Sequence, residues 1–241
     1  STSQSTPAMV EWDSLIPAQR ALLPEWRQWQ QQLQGKDTSA HWLLRQVQES
    51  QQQALVTRVD GRQAESWWRY DLEAQDLQVL GRTWPEIKNN PPDTSTADHR
   101  LPELRAFRWT SEDGLPLSAY FQPALTSDDT PPPLLVLVHG GPWARDRFQY
   151  DPLTIALAKQ GIAVLKVNFR GSSGLGKDFL LASRGAWGRA MQRDLIEGIT
   201  QVAQRGWANT ENSCIAGMSY GGYAALQAVL SQPHRFRCAL A

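Results

Sequence analysis

Nowhere in this 241-residue chain is there an apolar run long enough to cross a bilayer. The longest aliphatic stretch, Leu134–Val138, falls far short of the ~20 residues a spanning helix needs. Charge of either sign is not in excess. Lys plus Arg number 24 and Asp plus Glu number 24, with no basic stripe, so neither nucleic acid nor an anionic membrane is an expected partner. Cysteine is scarce, with only Cys214 and Cys238, which excludes a disulfide framework. A bridge between the two stays open, while reduced, buried thiols are expected. Histidine is scarce too, at 4, and no Cys/His cluster has metal-ligand spacing, so neither a metal nor a cofactor is expected. The glycines of Gly171-Ser-Ser-Gly174-Leu-Gly176 fall as G-x-x-G-x-G, the reverse of the dinucleotide fingerprint, with no Gly-Lys-Ser/Thr ending. A flexible loop is the simpler reading. The first residues, Ser1-Thr-Ser-Gln-Ser-Thr-Pro7, hold neither a Met start nor an apolar signal core. Cytoplasm and periplasm both stay open for a chain read as soluble, as does assembly into a homo-oligomer.

What is present begins with 41% hydrophobic residues, enough for a globular core, and 11 tryptophans, most of them expected to pack within it. The most informative stretch is Cys214-Ile-Ala-Gly217-Met-Ser219-Tyr-Gly221-Gly222-Tyr223, a serine inside Gly-x-Ser-x-Gly between a strand-like and a helix-like run. A serine held on a strained strand-to-helix turn presents its hydroxyl outward, and side chains two residues either side would collide there. Gly217 and Gly221 remove those side chains. The run Tyr220–Ser231 carries Ala224, Ala225, Leu226, Ala228, Val229 and Leu230 before Pro233 stops it, as a helix would. Ser219 then faces a helix N-terminus, where developing negative charge is favoured.

A lone Gly-x-Ser-x-Gly arises by chance in a chain with 17 glycines, so its context decides. Upstream, Pro133-Leu-Leu-Val-Leu-Val138 reads as a buried parallel strand that ends in His139-Gly-Gly-Pro142. A glycine turn there supplies an oxyanion N–H from the region of Gly141, and Tyr220, the residue after the serine, supplies the second.

With Asn168-Phe-Arg-Gly-Ser-Ser-Gly-Leu-Gly176 added, these motifs resemble the prolyl oligopeptidase family of serine peptidases, nearest its acylaminoacyl-peptidase and dipeptidyl-peptidase branches. The resemblance implies a β-propeller joined to an α/β-hydrolase domain and cleavage of short peptides by a Ser-Asp-His triad. It implies Ser219 as nucleophile, with Tyr220 and Gly141 as backbone oxyanion donors and Gly217, Gly221 and Gly222 shaping the elbow. In the dipeptidyl-peptidase branch a tyrosine stands in the place of His139, so at that position the chain is similar to the acylaminoacyl type.

The triad of such folds runs Ser, then Asp or Glu, then His along the chain. No Asp follows Ser219 before the chain stops at Ala241, and the one later histidine, His234, lies in the turn Ser231-Gln-Pro-His-Arg-Phe236. A serine without a base keeps its proton. The expectation is therefore a fragment with little or no peptidase activity by itself, its last residues, Phe236–Ala241, starting another buried strand. His139 reads as structural. Asp194 lies in a helix whose buried face is Met191, Leu195, Ile199 and Val202, so it reads as a helix-surface or helix-packing charge and not as the triad acid.

The rest of the chain gives an order of elements. Ala21–Gln34 spaces Leu22, Trp26, Trp29 and Leu33 as a helix with a solvated glutamine face, and Gly35 as its stop. Four short strands follow, at Trp42–Val47, Ala54–Val59, Ser66–Tyr70 and Leu77–Leu80, with Asp60-Gly61 a turn, and four strands match one propeller blade. The alternative is a stand-alone β-meander. Trp84–Arg100, with three prolines, reads as a linker. Leu104–Trp109 and Leu117–Phe121 then read as a hairpin across Glu112-Asp-Gly114, and Ile162–Asn168 as a strand. The expected division is the last part of a propeller plus linker over 1–100 and the first part of an α/β-hydrolase over 101–241. A carboxylesterase of the same fold and a non-catalytic pseudoenzyme are the alternatives to a peptidase.

Overall fold

A computed structural model describes residues 8–12, 15–38, 40–83, 101–127 and 130–241. The expected linker over 84–100, His99, the first seven residues and Asp128-Asp129 lie outside them. The chain divides into two compact units, one of Ser1–His99 with Gln149–Asp151, the other of Arg100–Phe148 with Pro152–Ala241.

The first unit opens with a hairpin of β1 (Met9–Trp12) and β2 (Ala18–Ala21), which the sequence reading did not anticipate. Helix α1 (Pro24–Lys36) begins three residues later than the spacing suggested, because Pro24 fits the first helical position, where an N–H would be unpaired anyway. Gly35 does not stop it; the helix runs through to Lys36. Nor are the glutamines merely solvated. The Gln30 amide donates to Gln19 O at 2.8 Å and accepts from Ala21 N at 3.1 Å, and Gln34 Nε2 donates to Trp42 O at 3.0 Å. They pin the helix to the strands on either side. Strands β3 (His41–Gln48), β4 (Gln53–Asp60), β5 (Gln63–Asp71) and β6 (Leu77–Arg82) form a four-stranded antiparallel meander in chain order. Its packed face carries Trp42, Leu44, Ala54, Val56 and Tyr70, with Leu72 just past β5, in one cluster with Leu33 of α1.

The second unit is a six-stranded mixed sheet with helices, built from β7 (Arg105–Thr110), β8 (Pro116–Gln122), β9 (Pro133–Val138), α2 (Pro152–Lys159), β10 (Ala163–Asn168), α3 (Lys177–Leu181), α4 (Ala190–Gln204), β11 (Asn209–Gly217), α5 (Tyr220–Ser231) and β12 (Cys238–Leu240). Strand order is β12-β11-β9-β10-β8-β7, with β10, β9, β11 and β12 parallel and the β7–β8 hairpin antiparallel at one edge. The continuous apolar run of β9 and the fully buried β10 are what a sheet covered on both faces requires. Helix α4 buries Met191, Leu195, Ile199 and Val202, the face its periodicity marked.

Two expectations are corrected here. Cys214 and Cys238 are not free thiols but a disulfide, because they are direct partners on adjacent parallel strands with Cα atoms 4.8 Å apart. The Gly171–Gly176 segment is not a loose loop: Ser172 is fully buried, and Gly171 N donates to Phe179 O at 3.0 Å.

Candidate active site

The site is built where two neighbouring parallel strands end. β11 runs beside β9 with Gly217 opposite Val138, so both chains leave the sheet together. After β11 the chain turns through Ser219 at φ 57° and ψ −120°, a left-handed conformation that costs a residue with a Cβ about 1–3 kcal/mol. Ser219 is exposed at that turn, and α5 starts with the next residue. The turn is possible because of its flanking glycines. A Cβ on Gly217 would lie 2.5 Å from Gly221 C, and one on Gly221 would lie 2.1 Å from Val138 O. Gly222 is less crowded, with 3.3 Å to Gly217 O.

The His139-Gly-Gly-Pro142 turn lies against this elbow. A Cβ on Gly140 would be 3.2 Å from Met218 O and 3.6 Å from Ser219 Cβ. Gly141 takes φ 115°, where a side chain would strike Trp143 N at 2.5 Å. The turn is held from below by His139. Its Nδ1 donates to Gly140 O at 2.8 Å, since a carbonyl can only accept, and its Nε2 meets Ser172 Oγ at 3.0 Å. Its ring stacks on Phe169 at 4.3 Å. Burial lowers the pKa of His139, opposed by the nearby Asp146 carboxylate and the Gly140 bond, which favour the charged form.

Behind that histidine stands a buried ion network. Arg170 Nε lies 2.9 Å from Asp194 Oδ2 and its Nη2 2.8 Å from Asp194 Oδ1, while Arg170 N also donates to Asp194 Oδ2 at 2.8 Å. Arg170 Nη1 and Nη2 reach the two oxygens of Asp113 at 2.7 and 2.9 Å. Asp113 further accepts from Ser111 Oγ at 2.6 Å. The Arg170 and Ser111 bonds hold the Asp113 carboxyl far below the usual carboxylate range. Burial pushes the Asp194 carboxyl up, while the bonds from Arg170 pull it back. Those two carboxylates hold the guanidinium above its ordinary value.

Asp194 is thus a helix-packing charge and not a surface one: it is fully buried and committed to Arg170. The sequence reading missed Arg170, though two signals were present. Asp194 sits on the buried side of α4, three residues from Met191 and four from Gly198, and a buried carboxylate requires a partner. An arginine two residues past the end of the buried strand β10 is that partner. Tyr220, the first residue of α5, tucks its ring beside Trp187 at 4.9 Å, and its hydroxyl donates to Met191 Sδ at 3.5 Å. Burial pushes its phenol well above the ordinary range.

Both nitrogens of His139 have partners, and His234 is exposed in the turn after α5, as expected. Among the described residues there is no group of three His, Cys, Asp or Glu that could hold a metal, and no helix long and apolar enough to cross a membrane.

A mixed α/β sheet with a strained serine between a parallel strand and a helix defines the class: an α/β protein with a strand–serine–helix elbow. Residues 148–241 match the prolyl oligopeptidase family, the family its motifs resemble. It is 37% identical over 179 residues to dipeptidyl aminopeptidase BIII of Pseudoxanthomonas mexicana, covering 71% of this chain and 25% of that one. It is 32% identical over 120 residues to the human acylamino-acid-releasing enzyme, covering 50% and 16%. Among solved structures, a Mycobacterium tuberculosis puromycin-hydrolyzing peptidase superposes with a TM-score of 0.62 at 27% identity, covering 78% of this chain and 28% of that one. An acylaminoacyl peptidase bound to a chloromethyl ketone shares the fold with a TM-score of 0.64 at 23% identity, covering 83% and 30%. The chain spans a quarter or less of the length of these two curated relatives.

Proposed function

We propose that Ser219 is the acyl-forming nucleophile of a serine peptidase that acts on short peptides, with the N–H groups of Tyr220 and Gly141 as oxyanion donors. The observation that carries this reading is the elbow: a positive-φ serine whose neighbours two residues away cannot bear a Cβ. Such strain is retained where it holds a reacting group in place. As the first residue of α5, Tyr220 has an N–H with no intrahelical acceptor, aimed from a helix N-terminus where an oxyanion is stabilised. The relatives and the structural neighbour above 25% identity are named as peptidases or as an acylamino-acid-releasing enzyme, which favours amides over esters as substrates. The first unit, with its four-stranded meander, is the closing part of a propeller, and the second, from residue 101, is the opening part of the hydrolase domain.

We assign the general base and its acid to a longer parent protein, because the relatives are several times this chain's length and both ring nitrogens of His139 already have partners. The test is a fluorophosphonate probe applied to the parent protein, followed by peptide mapping. Label on the peptide containing Ser219, with hydrolysis of aminoacyl anilides, supports the peptidase. Label with hydrolysis of short esters alone supports a carboxylesterase. An unlabelled Ser219 supports a pseudoenzyme.

A further inference from the structure

We propose that Arg170 is a positioning residue for the oxyanion turn, acting through Phe169, Ser172 and His139; this rests on the reading of Ser219 as nucleophile and Gly141 as oxyanion donor. The path is continuous. Asp194 grips the Arg170 backbone N–H at 2.8 Å as well as its side chain, which fixes the chain at the end of β10. The residues on either side of that clamp do the holding. Phe169 supplies the ring on which His139 stacks at 4.3 Å, and its carbonyl accepts from Ser172 N at 3.0 Å and from Ser172 Oγ at 2.7 Å. Ser172 Oγ then meets His139 Nε2 at 3.0 Å, and His139 Nδ1 donates to Gly140 O at 2.8 Å. Gly140 is the residue whose Cβ position lies 3.6 Å from Ser219 Cβ.

The stoichiometry of the network supports a role beyond holding the fold together. One guanidinium serves two carboxylates from opposite sides, Asp194 on α4 and Asp113 in the turn between β7 and β8. Asp194 alone satisfies the buried end of Arg170. Asp113, whose side chain is 44% exposed, adds a second two-point grip that fixes the roll of the guanidinium and, through it, the strand end. Lysine, with a point charge in place of a planar fork, cannot make both grips.

The experiment compares Arg170→Lys and Asp113→Asn with the unmodified full-length parent. Asp113→Asn is included because its partly exposed site tolerates loss of charge even if the buried substitution does not fold. Three readouts are taken on folded protein: kcat and KM for an aminoacyl anilide, inhibition by a peptide aldehyde, whose hemiacetal carries the oxyanion, and fluorophosphonate labelling of Ser219 in the unmodified parent. If Arg170 positions the oxyanion turn, both variants lose about tenfold or more in kcat and in aldehyde affinity, with KM unchanged, since only the charged tetrahedral species uses the turn. A lower melting temperature with wild-type kcat and aldehyde affinity would show a purely structural network and overturn the proposal. An unlabelled Ser219 in the unmodified parent would instead overturn the nucleophile reading beneath it.

Discussion

The α-carbon of Gly221 faces the carbonyl oxygen of Val138 so closely that a methyl group on it would sit 2.1 Å from that oxygen. A residue of α5 thus packs directly on the end of β9, and the elbow is clamped between two strands' ends. Gly221→Ala forces backbone apart, because neither partner is a flexible side-chain tip. The expected cost is about 1–3 kcal/mol, as for overpacked cores. Thermal unfolding of the variant should show it, and an unchanged melting temperature would mean the elbow relaxes freely.

Ser219 itself stores strain. Glycine adopts φ 57° without a Cβ penalty, so Ser219→Gly should raise stability by about 1 kcal/mol while abolishing fluorophosphonate labelling in the parent protein. Ser219→Ala should abolish labelling without that gain. A glycine variant no more stable than the alanine variant would remove the argument from strain.

The disulfide gives a redox prediction. Cys214 and Cys238 close a loop with a sequence separation of 24, and on the chain-entropy account such a bridge contributes about 3–4 kcal/mol. Dithiothreitol should therefore lower the melting temperature and expose two thiols to a thiol reagent. Two reactive thiols in the denatured, unreduced protein would show that the bridge is not formed.

Acid should weaken the turn beside the elbow. His139 has a folded pKa below its ordinary 6.5, with burial the main cause, so the unfolded chain takes up a proton before the folded one does. Its contribution is fully present above about pH 6.5 and is lost as pH falls through that value toward the lowered folded pKa. The bonding pattern opposes burial and reduces the shift, because a charged ring would donate from Nε2 to Ser172 Oγ while a neutral ring leaves two acceptors for one proton. Ser172 has one hydroxyl proton for two acceptors, Phe169 O and His139 Nε2. Denaturant midpoints from pH 8 to pH 5 should fall for the native sequence and fall less for His139→Gln.

Legibility from the sequence followed locality. The elbow, α5 to the residue, and the buried face of α4 were readable because each depends on glycine sterics or helical period within one short segment. The β7–β8 hairpin and the four-stranded meander were readable from alternation and turn residues. Apart from the short β1–β2 hairpin, what escaped depends on partners far apart in the chain. Arg170 meets Asp113 across 57 residues and Asp194 across 24, and no local pattern announces either pairing. The disulfide was left open for the same reason, since only the register of β11 against β12 brings the sulfurs together. The glutamines of α1 looked like a solvated face because their amides find backbone partners on β2 and β3, which helical spacing does not encode.

Gly217 and Val138 are rungs of one parallel ladder, and that pairing makes the distance between the serine turn and the glycine turn a backbone quantity. Adjacent strands lie about 4.8 Å apart whatever side chains they carry. The core beneath can therefore exchange one aliphatic residue for another without altering the reach from one turn to the other. Sequence drift in this fold is cheap nearly everywhere and expensive at a few glycines, because the ruler that sets the reacting distance is made of peptide bonds.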